Sequence, residues 1–220
     1  MSTRLPVVVL ISGSGTNLQA IIDGAQHDLP IEIRAVISNR SGVYGIQRAE
    51  QADIETAVLD HREFPDRESY DQALIKLIDS YSPKLVALAG FMRILTAKFV
   101  RHYRGRLLNI HPSLLPKYTG LHTHQRVLDA GDHLHGASIH FVTEKLDGGP
   151  LIVQAQVPVE TGDNADMLAT RVLQKEHQIY PLAIRWFAEN RLIMDENGDV
   201  RLDNKRLESP VVFTPMESIG

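Results

Sequence analysis

The sequence contains no cysteine, so disulfides, thiolate metal sites and a cysteine nucleophile are excluded at the outset. It also lacks a basic excess: 23 lysines and arginines stand against 27 aspartates and glutamates, a formal charge of −4. A surface built to neutralise nucleic-acid phosphates needs the opposite balance. The apolar run near the N-terminus, Val7 to Ile11, is far too short for a membrane span or a signal-peptide core. Internal repeats and low-complexity linkers are missing as well. The expectation is a soluble cytoplasmic protein with no nucleic-acid and no membrane partner. What is present, 43% apolar and 23% charged residues over 220 positions, is the composition of one ordinary globular domain.

Leu5 to Ile11 reads as a parallel strand buried on both faces. Ser12-Gly13-Ser14-Gly15-Thr16-Asn17 follows, and Leu18 to Ile22 then reads as helix. A glycine-rich turn into a helix presents free amides, a ready phosphate site, with Thr16 and Asn17 as expected caps. A dinucleotide fingerprint would need glycine where Leu18 stands, and no P-loop lysine follows. A monophosphate site is therefore favoured over a plain turn. Ile31–Ser38, Glu55–Leu59 and Leu85–Ala89 read as further strands, with helices over Val43–Gln51 and from Pro65 to Tyr81. This alternation predicts an α/β fold: a Rossmann-like, mostly parallel sheet with helices on both faces and ligands at the carboxyl ends of the strands.

The stretch Leu107-Leu108-Asn109-Ile110-His111-Pro112 carries the sharpest signal. Side chains two apart on a strand share a face, so Asn109 and His111 can address one substrate atom. A carboxamide can donate to a developing oxyanion, and an imidazole can move a proton near neutral pH. No nucleophile accompanies them unless Ser113 serves. Downstream, Asp147-Gly148-Gly149-Pro150 fixes a tight corner. Asp147 is either an ordinary hairpin residue or a carboxylate that holds His111 and favours its charged form.

Other stretches are read more plainly. Gly90-Phe91-Met92-Arg93-Ile94-Leu95 reads best as the first turn of a core helix, the alternative being an apolar wall for an aromatic ring. Six of the ten histidines (His111, His122, His124, His133, His135, His140) crowd into one region. With few carboxylates beside them, surface or hydrogen-bonded histidines are favoured over a metal cluster, and no metal site is expected. Thr161-Gly162-Asp163 is expected to cap a long helix whose apolar stripe includes Glu176, a carboxylate that needs a partner, either a protein cation or a ligand hydroxyl pair. Asn197-Gly198 reads as a turn between short strands, and Ser209 to Gly220 as a tail. Residues 1–192 are taken as the catalytic domain, followed by a short hairpin and tail over 193–220.

Taken together, the stretches Ile-Ser-Gly-x-Gly-Thr-Asn-Leu, Leu-Ala-Gly-Phe-Met-Arg-Ile-Leu, Leu-Asn-Ile-His-Pro-Ser-Leu-Leu-Pro, Gly-Leu-His-Thr-His and Leu-Asp-Gly-Gly-Pro make the chain resemble the folate-dependent formyltransferase family from Val7 to about Leu192. Within it, the resemblance is to the enzymes that formylate a glycinamide ribotide in purine synthesis. It implies 10-formyltetrahydrofolate as co-substrate, no metal, and two small molecules as partners, with a homodimer left open. It implies Asn109, His111 and Asp147 as the catalytic set. It further implies Gly15, Thr16, Asn17 and Glu176 as the ribotide site, and Arg67, Met92, Arg93, Ile94, Leu95 and Asn109 around the folate. Methionyl-tRNA formyltransferase and the deformylating hydrolase share the catalytic set but carry additional domains, which this chain is expected to lack. A non-catalytic nucleotide- or folate-binding module would leave the Asn109, His111 and Asp147 coincidence unexplained.

Overall fold

The computed structural model describes residues 4–214. Strands β1 (Leu5–Ile11), β2 (Ile31–Ser38), β3 (Thr56–Val58), β4 (Leu85–Leu88) and β5 (Leu107–His111) alternate with helices α1 (Thr16–His27), α2 (Tyr44–Gln51), α3 (Arg67–Ser80) and α4 (Ala97–His102). The five strands are parallel, in the spatial order β3-β2-β1-β4-β5. Their order reverses between β1 and β4, which opens a crevice above the carboxyl ends of those two strands.

After α5 (Thr123–Ala130) the pattern changes. β6 (Leu134–Phe141) runs antiparallel to β5 on one side and to β7 (Leu151–Pro158) on the other. A long helix, α6 (Ala165–Ala188), then crosses back over β6, β7 and α1. A three-stranded antiparallel sheet follows, built from β8 (Leu192–Met194), β9 (Val200–Leu202) and β10 (Lys205–Arg206). Ser209 onward is not simply a tail. β11 (Val211–Phe213) joins the main sheet beside β7, in parallel, because its backbone finds an open edge there. Residues 215–220 lie outside the described residues.

Strand alternation divides the core in two. Val7, Val9, Leu108, Ile110, Ile139 and Phe141 face α6 and α1, meeting Val172, Ile179, Tyr180, Leu18 and Ile21. Val8, Leu10, Val86 and Leu107 face the other way, against Tyr70 and Leu74 of α3 and Phe99 and Tyr103 beyond them. Asn109 and His111 share the parity of Leu107, so they lie on the α3 and α4 side. There the β5–β6 part of the sheet is roofed by loops. Leu115 N–H donates to Ser138 Oγ at 3.1 Å, and Ser138 Oγ donates to Ser113 O at 2.6 Å. Beneath, the Tyr180 hydroxyl reaches the carbonyls of Leu88 and Leu108 at 2.9 and 3.1 Å and fixes the place where β4 meets β5.

Two helix starts differ from the sequence reading. α6 is capped by Asn164, whose Oδ1 accepts Met167 N–H at 2.9 Å, while Asp163 is drawn off to Arg171 at 2.7 Å. α1 has Gly15 at its N-cap, at φ 71°, with no side-chain cap. Thr16 and Asn17 are already inside the helix, so they cannot serve as its cap.

Candidate active site

The uncapped start of α1 matters because the first amides of a helix have no internal acceptor. The turn before it is held from the far side: Gly45 N–H donates to Gly13 O at 3.0 Å and Arg48 Nε to Ser14 O at 2.9 Å. Those bonds engage carbonyls and leave the α1 amides for an anion. α2 packs so tightly here that a β-carbon on Gly15 would lie 2.6 Å from Gly45 Cα.

Asn17 turns its side chain toward α6, where Nδ2 donates to Glu176 Oε2 at 2.6 Å. Glu176 is only 7% exposed. Burial raises its pKa, and the Asn17 bond opposes that rise. Its partner is thus a neutral amide from the first turn of α1 rather than a protein cation. The structure brings Gly15, Thr16, Asn17 and Glu176 to one end of the crevice.

The segment after β4 corrects the sequence reading. Gly90 to Leu95 is a loop, not the first turn of a core helix; α4 starts only at Ala97, capped by Thr96 through Phe99 N–H at 3.3 Å. The reason is long-range. Gly90 takes a left-handed φ of 78°, and the loop amides bond to distant side chains instead of to one another. Met92 N–H donates to Ser12 Oγ at 2.8 Å, and Ser12 passes its own hydrogen to Asn39 Oδ1 at 2.5 Å. Thr96 N–H donates to the buried carboxylate of Asp71 at 2.6 Å. Pinned at both points, the loop buries Phe91 but leaves Met92 and Ile94 61% and 56% exposed, an apolar wall in need of cover. Arg67 opens α3, and Arg93 lies over the Tyr70 ring at 5.8 Å. Burial raises the pKa of Asp71, and both guanidiniums act against that rise. Neither Ser12, Asn39 nor Asp71 was marked by the sequence reading as part of a site; only Ser12, inside the glycine-rich motif, offered a signal.

His111 ends β5, 6% exposed. Its Nε2 meets the Tyr118 carbonyl at 2.9 Å and its Nδ1 lies 3.6 Å from Asp147 Oδ2. Asp147 comes from the segment joining β6 to β7, which folds back over the sheet instead of turning directly. Gly149 makes this close approach feasible: a β-carbon there would stand 1.8 Å from Phe141 O. Asp147 itself sits at φ 48° and accepts Gly120 N–H at 2.8 Å. The structure thus places Asp147 within ion-pair distance of His111, not at a bare hairpin turn. Asn109, on the same face as His111, points Nδ2 at His140 Nε2, 3.2 Å away.

The neighbouring histidines bond to each other. His124 Nδ1 meets His135 Nε2 at 3.0 Å, and burial lowers both pKa values, that of His135 to about 4. Among the described residues no three acidic or histidine groups converge as a metal site. Ser113 Oγ donates to Lys117 O at 2.7 Å, so its hydrogen is directed at the backbone.

An amide donor, an imidazole beside a carboxylate, an uncapped helix start and an apolar wall gather around one crevice, the equipment of a group-transfer enzyme. The chain belongs to the formyl transferase family, whose profile matches residues 5–184. The phosphoribosylglycinamide formyltransferase of Escherichia coli (strain K12) is 57% identical over 202 residues, 91% of this chain and 95% of that protein. The structure of phosphoribosylglycinamide formyltransferase from Coxiella burnetii superposes with a TM-score of 0.92 at 56% identity, covering 96% of this chain and 100% of the other. The trifunctional purine biosynthetic protein adenosine-3 of Gallus gallus is 42% identical over 200 residues, 90% of this chain but 20% of that longer protein.

Proposed function

We propose that the protein transfers the formyl group of 10-formyltetrahydrofolate to the amine of N1-(5-phospho-D-ribosyl)glycinamide, giving the N-formyl ribotide and tetrahydrofolate in purine biosynthesis. The observation that carries this reading is the meeting of His111, Asp147 and Asn109 at the strand end between an anion-binding turn and an apolar wall. The exposed Met92 and Ile94 side chains fit a flat aromatic ring, and Arg67 and Arg93 suit a carboxylate tail. Gly15, Thr16 and Asn17 suit the ribotide phosphate through backbone amides, with Glu176 for the ribose hydroxyls.

In this mechanism the glycinamide nitrogen attacks the formyl carbon while both substrates share the crevice, so proximity lowers the barrier. The oxygen that becomes an oxyanion accepts from Asn109 Nδ2, a donor worth about 2.7–4 kcal/mol of barrier. His111 and Asp147, 3.6 Å apart, pass the proton lost by the amine to the folate nitrogen as the old carbon–nitrogen bond breaks. No helix among the described residues is long and apolar enough to cross a membrane. The reading has small molecules as its partners, in the cytoplasm, with a homodimer as the assembly to test.

The test is a formyl-transfer assay that follows tetrahydrofolate release with the ribotide, beside a reaction without acceptor and one with methionyl-tRNA. Turnover dependent on the ribotide is expected. Equal folate release without any acceptor, or preference for the tRNA, would overturn the assignment.

A further inference from the structure

We propose that His140 is a positioning residue for the transfer: it holds the Asn109 carboxamide with nitrogen, not oxygen, aimed for the oxyanion. This rests on the role of Asn109 given above and adds a residue to it.

The argument is one of donors and acceptors. His140 lies directly across from Asn109 in the β5–β6 pairing and is 2% exposed. Its Nδ1 stands 2.9 Å from the Phe141 carbonyl, which can only accept, so Nδ1 carries a hydrogen. A neutral imidazole has a single N–H, which leaves Nε2 bare and able only to accept. Burial favours that neutral form; Asp147 acts against the effect and His111 with it. Nε2 lies 3.2 Å from the end of Asn109. Only Nδ2 can donate there, because Oδ1 in its place would set lone pair against lone pair. The two ends of an asparagine amide are nearly alike in shape, and their assignment ordinarily follows from such a network. Here the network begins at a backbone carbonyl, which cannot change role.

The consequence for chemistry is direct. One hydrogen of Nδ2 is bonded to His140, and the second remains for the substrate oxygen. A carboxamide turned by half a revolution would offer a carbonyl to a developing negative charge, which repels it. His140 thereby acts on the transition state more than on binding. The close pack of the chain over His140 protects this arrangement from water: a β-carbon on Gly149 would lie 3.3 Å from His140 Nδ1.

Two near-isosteres separate this role from mere support of the backbone. His140→Asn places its polar atoms at the height of Nδ1, so it keeps a donor for Phe141 O but loses the acceptor for Asn109. His140→Gln reaches the height of Nε2 and can accept from Asn109 through Oε1. We expect kcat to fall roughly tenfold to a hundredfold in His140→Asn, less than the loss of a whole donor, with both KM values within about twofold of wild type. His140→Gln should recover most of that loss. In an Asn109→Ala background, His140→Asn should have no further effect on kcat. Nitrogen NMR of the wild-type protein should find His140 protonated at Nδ1 and bare at Nε2. The opposite tautomer overturns the proposal whatever the variants do. So does a wild-type kcat in His140→Asn, or a greater loss in His140→Gln than in His140→Asn. Failure of Asn109→Ala to lower kcat would instead overturn the role of Asn109 itself.

Discussion

Asp147 Oδ2 stands 3.6 Å from His111 Nδ1 and on the same oxygen accepts the Gly120 amide at 2.8 Å, which helps fix the carboxylate beside the ring. Asp147→Asn keeps the shape and the Gly120 bond but removes the negative charge beside the His111 ring. Steady-state kinetics should show kcat reduced by roughly a hundredfold or more, with both KM values nearly unchanged. A kcat within a few-fold of wild type would mean that the ion pair is structural only.

Gly15 leaves no space for a side chain. Its φ of 71° disfavours one, and the β-carbon would sit 2.6 Å from Gly45 Cα. Gly15→Ala should lose about 1–3 kcal/mol of stability through backbone strain alone. Because the turn shifts at the start of α1, the ribotide KM should rise about tenfold, the loss of one charge-assisted bond, while the folate KM stays near wild type. Equal rises in both would point to a general folding defect.

Glu176 offers a pH signature. Burial raises its folded-state pKa above the unfolded value near 4.5, so ionisation at neutral pH opposes folding. The sign follows: this penalty is absent below about pH 4.5 and is complete once the pH exceeds the folded pKa. Glu176→Gln keeps an acceptor for Asn17 and should therefore raise the melting temperature of the ligand-free protein at pH 7–8. That gain should vanish in acid, and ribotide affinity should fall. A melting temperature lowered at neutral pH would show that the carboxylate is a stabilising partner, not a reserved ligand group.

Ser12 serves two partners at once. In Ser12→Ala the Met92 amide loses its acceptor and Asn39 Oδ1 its donor, a loss of about 1–3 kcal/mol for buried groups left unpaired. Freed at that point, the 90–95 loop should bind folate about tenfold more weakly by KM. An unchanged folate KM with reduced thermal stability would confine Ser12 to a structural part.

How much of this was readable from the chain depended on the range of the forces involved. The common face of Asn109 and His111 follows from the period of a strand, a local property, and it holds in the structure. Glu176 announced itself because a carboxylate on an apolar stripe violates a local rule. The 90–95 loop could not be read that way. Its composition is that of core, and what makes it a loop is a pair of acceptors, Ser12 and Asp71, contributed by other elements. His140 was equally hidden: an alternating strand does not say which residue of its neighbour it will face. Val211 to Phe213 carried too few residues to signal a strand and became one only by meeting the edge of β7.

In the main sheet the one reversed strand among the described residues, β6, separates durability from chemistry. A parallel neighbour for β5 would have required a crossover helix laid on one face of the sheet, whereas an antiparallel one does not. The roof over Asn109 and His111 is consequently made of two loop segments, 112–122 and 142–150, that contribute little to either apolar cluster. Their sequence and length can drift without emptying the core, while the strand ends beneath stay in register. A scaffold of this kind tolerates change in those two segments provided Asp147 and the close approach at Gly149 are kept, because the sheet beneath still folds around the same pair of polar side chains.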